Sequence, residues 1–397
     1  MSGEPMRILI VTHVLAKNDG QGRVNYEIAR AALAAGHSVT MLASQAAQEL
    51  VSHPRARFVQ ISASGLPSRL LQYQVFAWRT GLWIRKHRRE FDIVHVNGFI
   101  TWARADVNSV HFVHDGWYRC GFYPYRFLGG FYHAYQVTYT RLNACLERLA
   151  FRNAQVVVPV SEKVRAEVEA LGIDPACLEV IHNGVDVDEF APGPSQRKRF
   201  GLPDKPFMLL FAGDLRVARK NLDTVLRALP LTSAEVHLVV AGRLHSSPFP
   251  ALAAELGVAE RVHFTDFVAD MPALMRSVDA FVFPSRYEAM SLALLEALAA
   301  ALPVVTAKTA GGAEVIGPDC GFVLDDPEDA QGLAKAIETL TGDREQARQM
   351  GQAARALAKT LGWGTMGQRY LSLYEQVRAR RVPARILPSG SAVSIDL

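Results

Sequence analysis

Short apolar runs recur along the chain, and between them lie stretches whose apolar positions repeat with helical spacing. Arg7–Val14, His37–Leu42, Ala56–Ser62, Asp92–Val96, Val107–Val113 and Gln155–Val160 read as buried strands. Val24–Ala35, Leu70–Lys86 and Tyr135–Phe151 read as helices between them. Strands that alternate with helices in this way build a parallel sheet covered on both faces. A Pro- and Gly-rich segment with a basic tail, Ala191 to Arg199, then interrupts the rhythm as an interdomain linker would. Beyond it the pattern restarts with strands at Phe207–Ala212, Val236–Ala241, Val262–Phe264, Ala280–Pro284, Pro303–Thr306 and Gly321–Leu324. Helices are predicted at Asn221–Leu229, Met271–Ser277, Ser291–Ala301 and Thr365–Arg381. The fold class is α/β, with two Rossmann-like sheets facing each other over a cleft. The predicted divisions are 1–195, 196–364, the closing helix 365–381, and a poorly ordered tail 382–397.

Composition agrees with a soluble globular chain: 49% of the 397 residues are hydrophobic and 21% are charged, enough to bury two cores. The net charge of +4 is unevenly placed. Residues 1–153 hold 18 Lys and Arg against 9 Asp and Glu, leaving 25 against 30 for the remainder. The basic first half suits an anionic acceptor or membrane surface, or is simply a solvated face; no nucleic-acid partner is expected. Cys120, Cys145, Cys177 and Cys320 are widely spaced, so neither a zinc site nor a disulfide framework is indicated. No apolar run approaches the roughly 18 residues of a membrane span, and Glu4 before the first run argues against a signal peptide. A cytoplasmic, reducing location is expected.

The stretch richest in chemistry is Phe281 to Ile316. A strand is followed by a loop carrying Glu288, and then by a helix carrying Glu296. A helix N-terminus at Ala289, Met290, Ser291 and Leu292 offers backbone N–H groups and a partial positive charge to an anion. Carboxylates beside such a cradle suit a sugar nucleotide, with hydroxyls for the carboxylates and a diphosphate for the amides. Glu296 lies in an otherwise apolar helix, where an unpaired charge is costly, which argues for a partner. The turn Gly20-Gln21-Gly22 lacks the third glycine of a dinucleotide site, so a nicotinamide cofactor is not expected. Asp325-Asp326 reads as the start of a helix.

These residues resemble the E-x7-E signature of retaining GT-B glycosyltransferases of family 4, and the likeness spans nearly the whole chain. The Gly20/Gly22 loop is similar to the family's glycine-rich turn, and His182-Asn183-Gly184-Val185-Asp186 to its N-G-V-D segment. Gly213 to Leu222 is similar to its basic G-x-L…R-K-N segment, and the helix around Tyr374 to the one that crosses back onto the first domain. The resemblance implies an acceptor-binding first domain and a donor-binding second. It implies that Arg219 and Lys220 neutralise the donor diphosphate, Glu296 holds the ribose and Glu288 the sugar hydroxyls. A histidine after the fifth strand would lie near the transferred sugar. His111 and His114 both align, and His114, followed by Asp115-Gly116, is favoured. Asp186-Val187-Asp188 falls in the N-G-V-D segment, so it reads as structural, with no metal or other cofactor expected. Family mechanism implies front-face attack with retention, the donor phosphate taking the acceptor proton and domain closure excluding water. Ala289 and Ser291 stand where many members carry glycine, Ala301 replaces another, and Asp214 replaces a frequent arginine.

The acceptor is the least specified partner, a saccharide or a lipid-linked saccharide. Trp117 to Arg152 mixes Trp117, Tyr118, Phe122, Tyr123, Tyr125, Phe127, Phe131 and Tyr132 with arginines. It reads either as a peripheral membrane contact or as an aromatic core loop. A sugar-nucleotide epimerase or a non-catalytic partner of the same fold is the alternative function.

Overall fold

The computed structural model describes residues 4–63, 65, 68–126 and 130–381, so the expected tail 382–397 and Phe127 lie outside the described residues. The first half runs β1 (Arg7–Val11), β2 (Val14–Leu15), α1 (Gly20–Ala34), β3 (Ser38–Ala43), β4 (Gln45–Ala46), α2 (Gln48–Val51), β5 (Ala56–Gln60) and α3 (Arg69–His87). It continues through β6 (Ile93–Asn97), β7 (Ala105–Val110), α4 (His114–Arg119), α5 (Phe131–Arg152), β8 (Ala154–Pro159) and α6 (Glu162–Ala170). Six of these strands form a parallel sheet in the order β5-β3-β1-β6-β7-β8, while β2 and β4 make a small separate pair.

The second half runs β9 (Phe207–Ala212), α7 (Leu222–Ala228), β10 (Val236–Ala241), α8 (Phe249–Glu255), β11 (Val262–Asp266), α9 (Met271–Met275) and β12 (Ala280–Phe283). Then follow α10 (Leu292–Ala299), β13 (Val304–Ala307), β14 (Gly321–Leu324), α11 (Ala330–Gly342), α12 (Arg344–Thr360) and α13 (Trp363–Arg381). Its parallel sheet has the order β11-β10-β9-β12-β13-β14. Strand β9, FMLLFA, is buried at every position, as a strand covered on both faces must be. In each sheet the order reverses beside the first strand, at β1/β6 and at β9/β12, and the carboxyl ends of strands at such a point form a crevice.

Several boundaries move from their predicted places, and three of the differences bear on the site and its surroundings. The strand expected to reach Val113 ends at Val110, because its pairing with β8 stops at Val110 opposite Pro159. The helix expected over 291–301 is shorter, with Ser291 as its N-cap and Ala301 already in the left-handed region at φ 59°. That conformation favours glycine, the residue that Ala301 replaces. Asp325-Asp326 does not open a helix: α11 starts at Ala330, and the side chain of Asp329 caps it. Helix α12 had no counterpart in the sequence reading.

Two segments join the halves. Arg197, in the basic tail of the predicted linker, is held against the second half by Asp279 at 2.6 Å and by the Ser277 carbonyl at 3.0 Å. The closing helix α13 packs on the first half, where Tyr374 Oη lies 2.6 Å from His95 Nδ1 and Tyr370 Oη 2.9 Å from Ser109 Oγ. A Cβ on Gly367 would stand 2.6 Å from that of Ala31, which shows how closely α13 approaches α1. At the crossing, the Val185 N–H donates to the Leu361 carbonyl at 2.9 Å and the Trp363 N–H to the Val185 carbonyl at 3.2 Å. Among the described residues no helix is long and apolar enough to cross a membrane.

Candidate functional site

The loop from Pro284 to Ser291 carries the site, and it is laced from several sides. The Glu288 carbonyl accepts from the Gly311 N–H at 2.9 Å, and the Glu288 N–H donates to the Thr309 carbonyl at 3.3 Å. Asn221 Nδ2 donates to the Pro284 carbonyl at 2.7 Å, and Ser285 Oγ to the Arg219 carbonyl at 2.8 Å. These bonds tie the turn Ala218–Lys220, which follows β9, to the loop that follows β12. From the other domain Ser161 Oγ donates to the Ala289 carbonyl at 2.7 Å and Asn183 Nδ2 to the Met290 carbonyl at 3.4 Å. Tyr287 is fully buried, its hydroxyl lying 2.9 Å from the Val113 carbonyl and 2.8 Å from Glu167 Oε2, with one proton to share between them.

Within this frame Arg219 Nη1 donates to Glu288 Oε2 at 2.9 Å, and Lys220 Nζ donates to the same oxygen. Burial alone would raise the Glu288 pKa, but Lys220 and Arg219 outweigh it and hold the carboxyl below its ordinary value. Burial pushes the Lys220 ammonium down from its ordinary value, with Glu288 opposing the shift. The trio is therefore a carboxylate matched by two cations over one small volume, so a polyanion entering there meets cations already in place.

A cavity of about 350 Å³ opens beside this trio. Lys220, Glu288, Glu296, Met290, Ser291 and Leu292 line it from the second domain, together with Gly213. Gly20 and His111 line it from the first. A second depression of about 770 Å³ shares Gly20, Leu292 and Glu296 with it and extends past Arg23, Phe267 and Trp363. Ser291 caps α10, its Oγ accepting from the Leu294 N–H at 3.4 Å, so the first turn of that helix faces the cavity.

Several predicted residues sit elsewhere. Gly22 is taken up by a helix cap: its N–H donates to Asp19 Oδ1 at 2.6 Å, and a Cβ there would stand 2.8 Å from that oxygen. Ala289 is not among the residues that line the cavity, and its carbonyl accepts from Ser161 Oγ. Arg219 reaches the cavity only through Glu288. His114, the favoured histidine, opens α4 and is held by Glu147, which accepts from its backbone N–H at 2.9 Å and lies 2.6 Å from Nδ1. His111 takes its place at the cavity because the strand ends one residue before it. Its Nε2 is buried without a partner, and burial lowers its pKa to about 4, so the ring is neutral near pH 7.

Gln21, Val160, Asn183 and Met271 also line the cavity, and the sequence reading had given them no role there. Asn183 lies within the His182–Asp186 segment, which was the available signal for it. Asp186 has a turn-capping role, its Oδ1 accepting from the N–H groups of Asp188 at 3.2 Å and Glu189 at 3.0 Å.

Glu296 is half-buried, and burial, with Glu189 adding and Arg23 opposing, raises its pKa from 4.5 to about 7. The folded chain thus keeps a proton on Glu296 that the unfolded chain releases near pH 4.5, so stability falls as pH rises from there to about 7. The decline is at most about 3 kcal/mol, less where water reaches the carboxyl. Glu296→Gln is expected to leave the Tm unchanged at pH 5 and to raise it at pH 8. Thermal unfolding at the two pH values measures this, and equal Tm differences at both would contradict it.

Comparison with known proteins agrees with the geometry. The family model described as glycosyltransferase family 4 matches residues 18–189, and that described as glycosyl transferases group 1 matches residues 194–357. The chain is 31% identical over 271 residues to the GDP-mannose-dependent alpha-(1-6)-phosphatidylinositol monomannoside mannosyltransferase of Mycolicibacterium smegmatis, covering 63% of this chain and 70% of that one. It is 29% identical over 372 residues to the D-inositol 3-phosphate glycosyltransferase of Xylanimonas cellulosilytica, covering 84% and 82%. Sucrose-phosphate synthase of Thermosynechococcus elongatus superposes with a TM-score of 0.79 at 20% identity over 94% of this chain and 100% of that one, a likeness of fold. The chain belongs to glycosyltransferase family 4, and it is a glycosyltransferase with the GT-B fold.

Proposed function

We propose that the cavity between the domains binds a nucleotide-diphosphate sugar and that the sugar passes to an acceptor hydroxyl with retention of anomeric configuration. The observation that carries this reading is that Lys220, Glu288, Glu296 and the first turn of α10 line one cavity, with Arg219 bonded to Glu288 behind them. Lys220 and Arg219 neutralise the diphosphate, whose charge grows as the glycosidic bond breaks, so they stabilise the transition state more than the ground state. Glu296 takes the ribose hydroxyls. A carboxyl with a raised pKa accepts such hydrogen bonds on losing its proton, which couples nucleotide binding to proton release.

Glu288 orients the sugar hydroxyls as the diphosphate takes over its two cations. His111, neutral and with Nε2 free, offers one hydrogen bond to the transferred sugar or the acceptor hydroxyl. The acceptor proton leaves with the donor phosphate, so no protein nucleophile is required, and neither a metal nor another cofactor is assigned a role. The mannosyltransferase relative is named for GDP-mannose, which puts that donor first to test, with UDP-sugars next. The same name contains a phosphatidylinositol glycoside. It supports a saccharide or lipid-linked saccharide acceptor, and our reading is that enzyme and acceptor meet in the cytoplasm at a membrane surface.

A thermal-shift panel of GDP-, UDP- and ADP-sugars tests the donor. Stabilisation of about 3 kcal/mol is expected from the true donor at a hundred times its Kd. Glu296→Ala removes most of it. A panel in which no nucleotide sugar raises the Tm would overturn the proposal.

A further inference from the structure

Tyr287 belongs to the loop that carries Glu288, yet its side chain ends inside the other domain. Its ring lies 5.2 Å from that of Phe112 and 5.4 Å from that of Trp117, and Lys163 Nζ sits 3.8 Å from the ring centre. Its hydroxyl meets the Val113 carbonyl and Glu167 Oε2, and the residue has no exposed surface. Glu167 is held in turn by Lys163 Nζ at 2.6 Å. It also lies close against α4 at Gly116, where a Cβ would stand 2.6 Å from its carboxyl carbon. A glycine at that position is what lets the carboxylate reach the phenol.

Two features set this insertion apart from ordinary packing. The first is chemical. A phenylalanine would fill the same aromatic space, whereas the hydroxyl adds polar bonds that exist only while the domains are together. Burial, with the Glu167 charge adding, holds the Tyr287 pKa well above its ordinary value, so the hydroxyl remains a donor. The second is its wiring to the site. The Tyr287 carbonyl accepts from Arg219 Nη1 at 3.2 Å, and the next residue is Glu288, which the same guanidinium binds. On the receiving side Phe112 and Val113 directly follow His111, which lines the cavity from the first domain. The Arg219 guanidinium lies 5.8 Å from the Phe112 ring. The socket and His111 thus share one stretch of backbone, and the inserted ring and Glu288 share another.

We infer that Tyr287 is a positioning residue: seated among Phe112, Val113, Trp117, Lys163 and Glu167, it sets the distance across the cavity between Glu288 and His111. The inference rests on the proposed reading of that cavity as the donor site, and it adds the element that brings the two faces into register. Tyr287 is not among the residues that line the cavity, so it acts through Glu288. With the ring withdrawn, the second domain still holds a nucleotide sugar, but the sugar is no longer poised between the two faces. Seating therefore governs turnover far more than donor affinity.

Turnover is measured as release of the nucleoside diphosphate with water as the acceptor, from GDP-mannose or from whichever UDP- or ADP-sugar raises the Tm more. Tyr287→Phe is expected to lower kcat about tenfold, with KM within about threefold of wild type and little change in Tm. Gly116→Ala pushes the flexible Glu167 carboxylate off the phenol while leaving Tyr287 and the donor residues in place, and it is expected to lower kcat in the same way. Combining the two should lower kcat no further than Tyr287→Phe alone, because they break the same bond to Glu167. Tyr123→Phe is the control. It also loses a buried hydroxyl, bonded to the Gln136 carbonyl at 2.9 Å, but within the first domain, and it should turn over at the wild-type rate. A role in stability alone would lower the Tm of Tyr287→Phe and leave the kcat of the folded enzyme unchanged. The inference falls by itself on that result, or if a nucleotide sugar stabilises the wild type and Tyr287→Phe keeps a kcat within about twofold of it. It falls together with the donor-site reading if no nucleotide sugar stabilises the wild type.

Discussion

Lys220→Ala is expected to lower kcat about 10²- to 10³-fold, the loss that follows removal of one preorganised group facing developing negative charge. The ammonium is buried below the Glu288 carboxylate and lies 5.0 Å from the Phe283 ring, so water does not readily replace it. In the variant Glu288 keeps Arg219 as its sole cation, and an entering diphosphate competes for that guanidinium instead of finding a second charge. KM should rise less than kcat falls, because the missing charge matters most as the leaving group forms. Lys220→Arg should rescue poorly, since a planar guanidinium is bulkier and Gly213 is already close: a Cβ on Gly213 would stand 3.6 Å from Lys220 Cγ. Steady-state kinetics with the nucleotide sugar that gives the largest thermal shift would decide the point. A kcat within about threefold of wild type would remove Lys220 from the chemistry.

Gly311→Ala should be damaging at a distance from any substrate. A Cβ at this position would stand 1.7 Å from the Ala289 carbonyl oxygen, 2.4 Å from its carbon and 2.9 Å from the Glu288 carbonyl oxygen. These are backbone atoms, so no side chain can swing aside, and the loop carrying Glu288 must move by an ångström or more. Overpacking of this kind costs roughly 3 kcal/mol. A displacement of about 1 Å at a reacting group costs about 10²-fold in rate. Gly342→Ala is the matched control, because a Cβ there meets nothing within 4 Å. A Gly311→Ala enzyme with wild-type Tm and kcat would show that the loop tolerates movement and that its tight lacing has no bearing on catalysis.

Both sheets were legible because their strands are continuous apolar runs, and a strand buried on two faces cannot be written otherwise. Glu296 was legible for the same reason in reverse, as a lone carboxyl in an apolar helix. What the sequence did not carry was register. The choice between His111 and His114 turns on whether β7 stops at Val110 or three residues later, and β8 decides it through pairing that spans nearly fifty residues. Gly22 was misread because a glycine at a helix start serves a ligand or a cap equally well, and only the position of Asp19 Oδ1 distinguishes them. The aromatic cluster after His114 was ambiguous between core and surface. The structure divides it: Tyr123 is buried with its hydroxyl on the Gln136 carbonyl of α5, while Phe131 at the start of that helix is exposed. Tyr287 left no trace of its cross-domain contacts, since its partners Val113 and Glu167 lie far away in sequence.

The crossing where Val185 pairs with Leu361 and Trp363 has a mechanical consequence. The chain leaves the first half and returns to it at one place, with its two crossing segments hydrogen-bonded side by side. Gly184 lies so tightly under Trp363 that a Cβ there would stand 2.6 Å from its ring. Two joined segments resist twisting and sliding more than a single tether does, which leaves bending as the soft coordinate. Opening of the crevice is then expected as a rotation about an axis near Val185, and it has to break the bonds that tie the Glu288 loop to the first domain, from Ser161 to the Ala289 carbonyl and from Tyr287 to Val113. Glu296 lines the same depression as Trp363, so the nucleoside end of the donor, where the proposed site puts it, would sit beside the pivot and be the last part released.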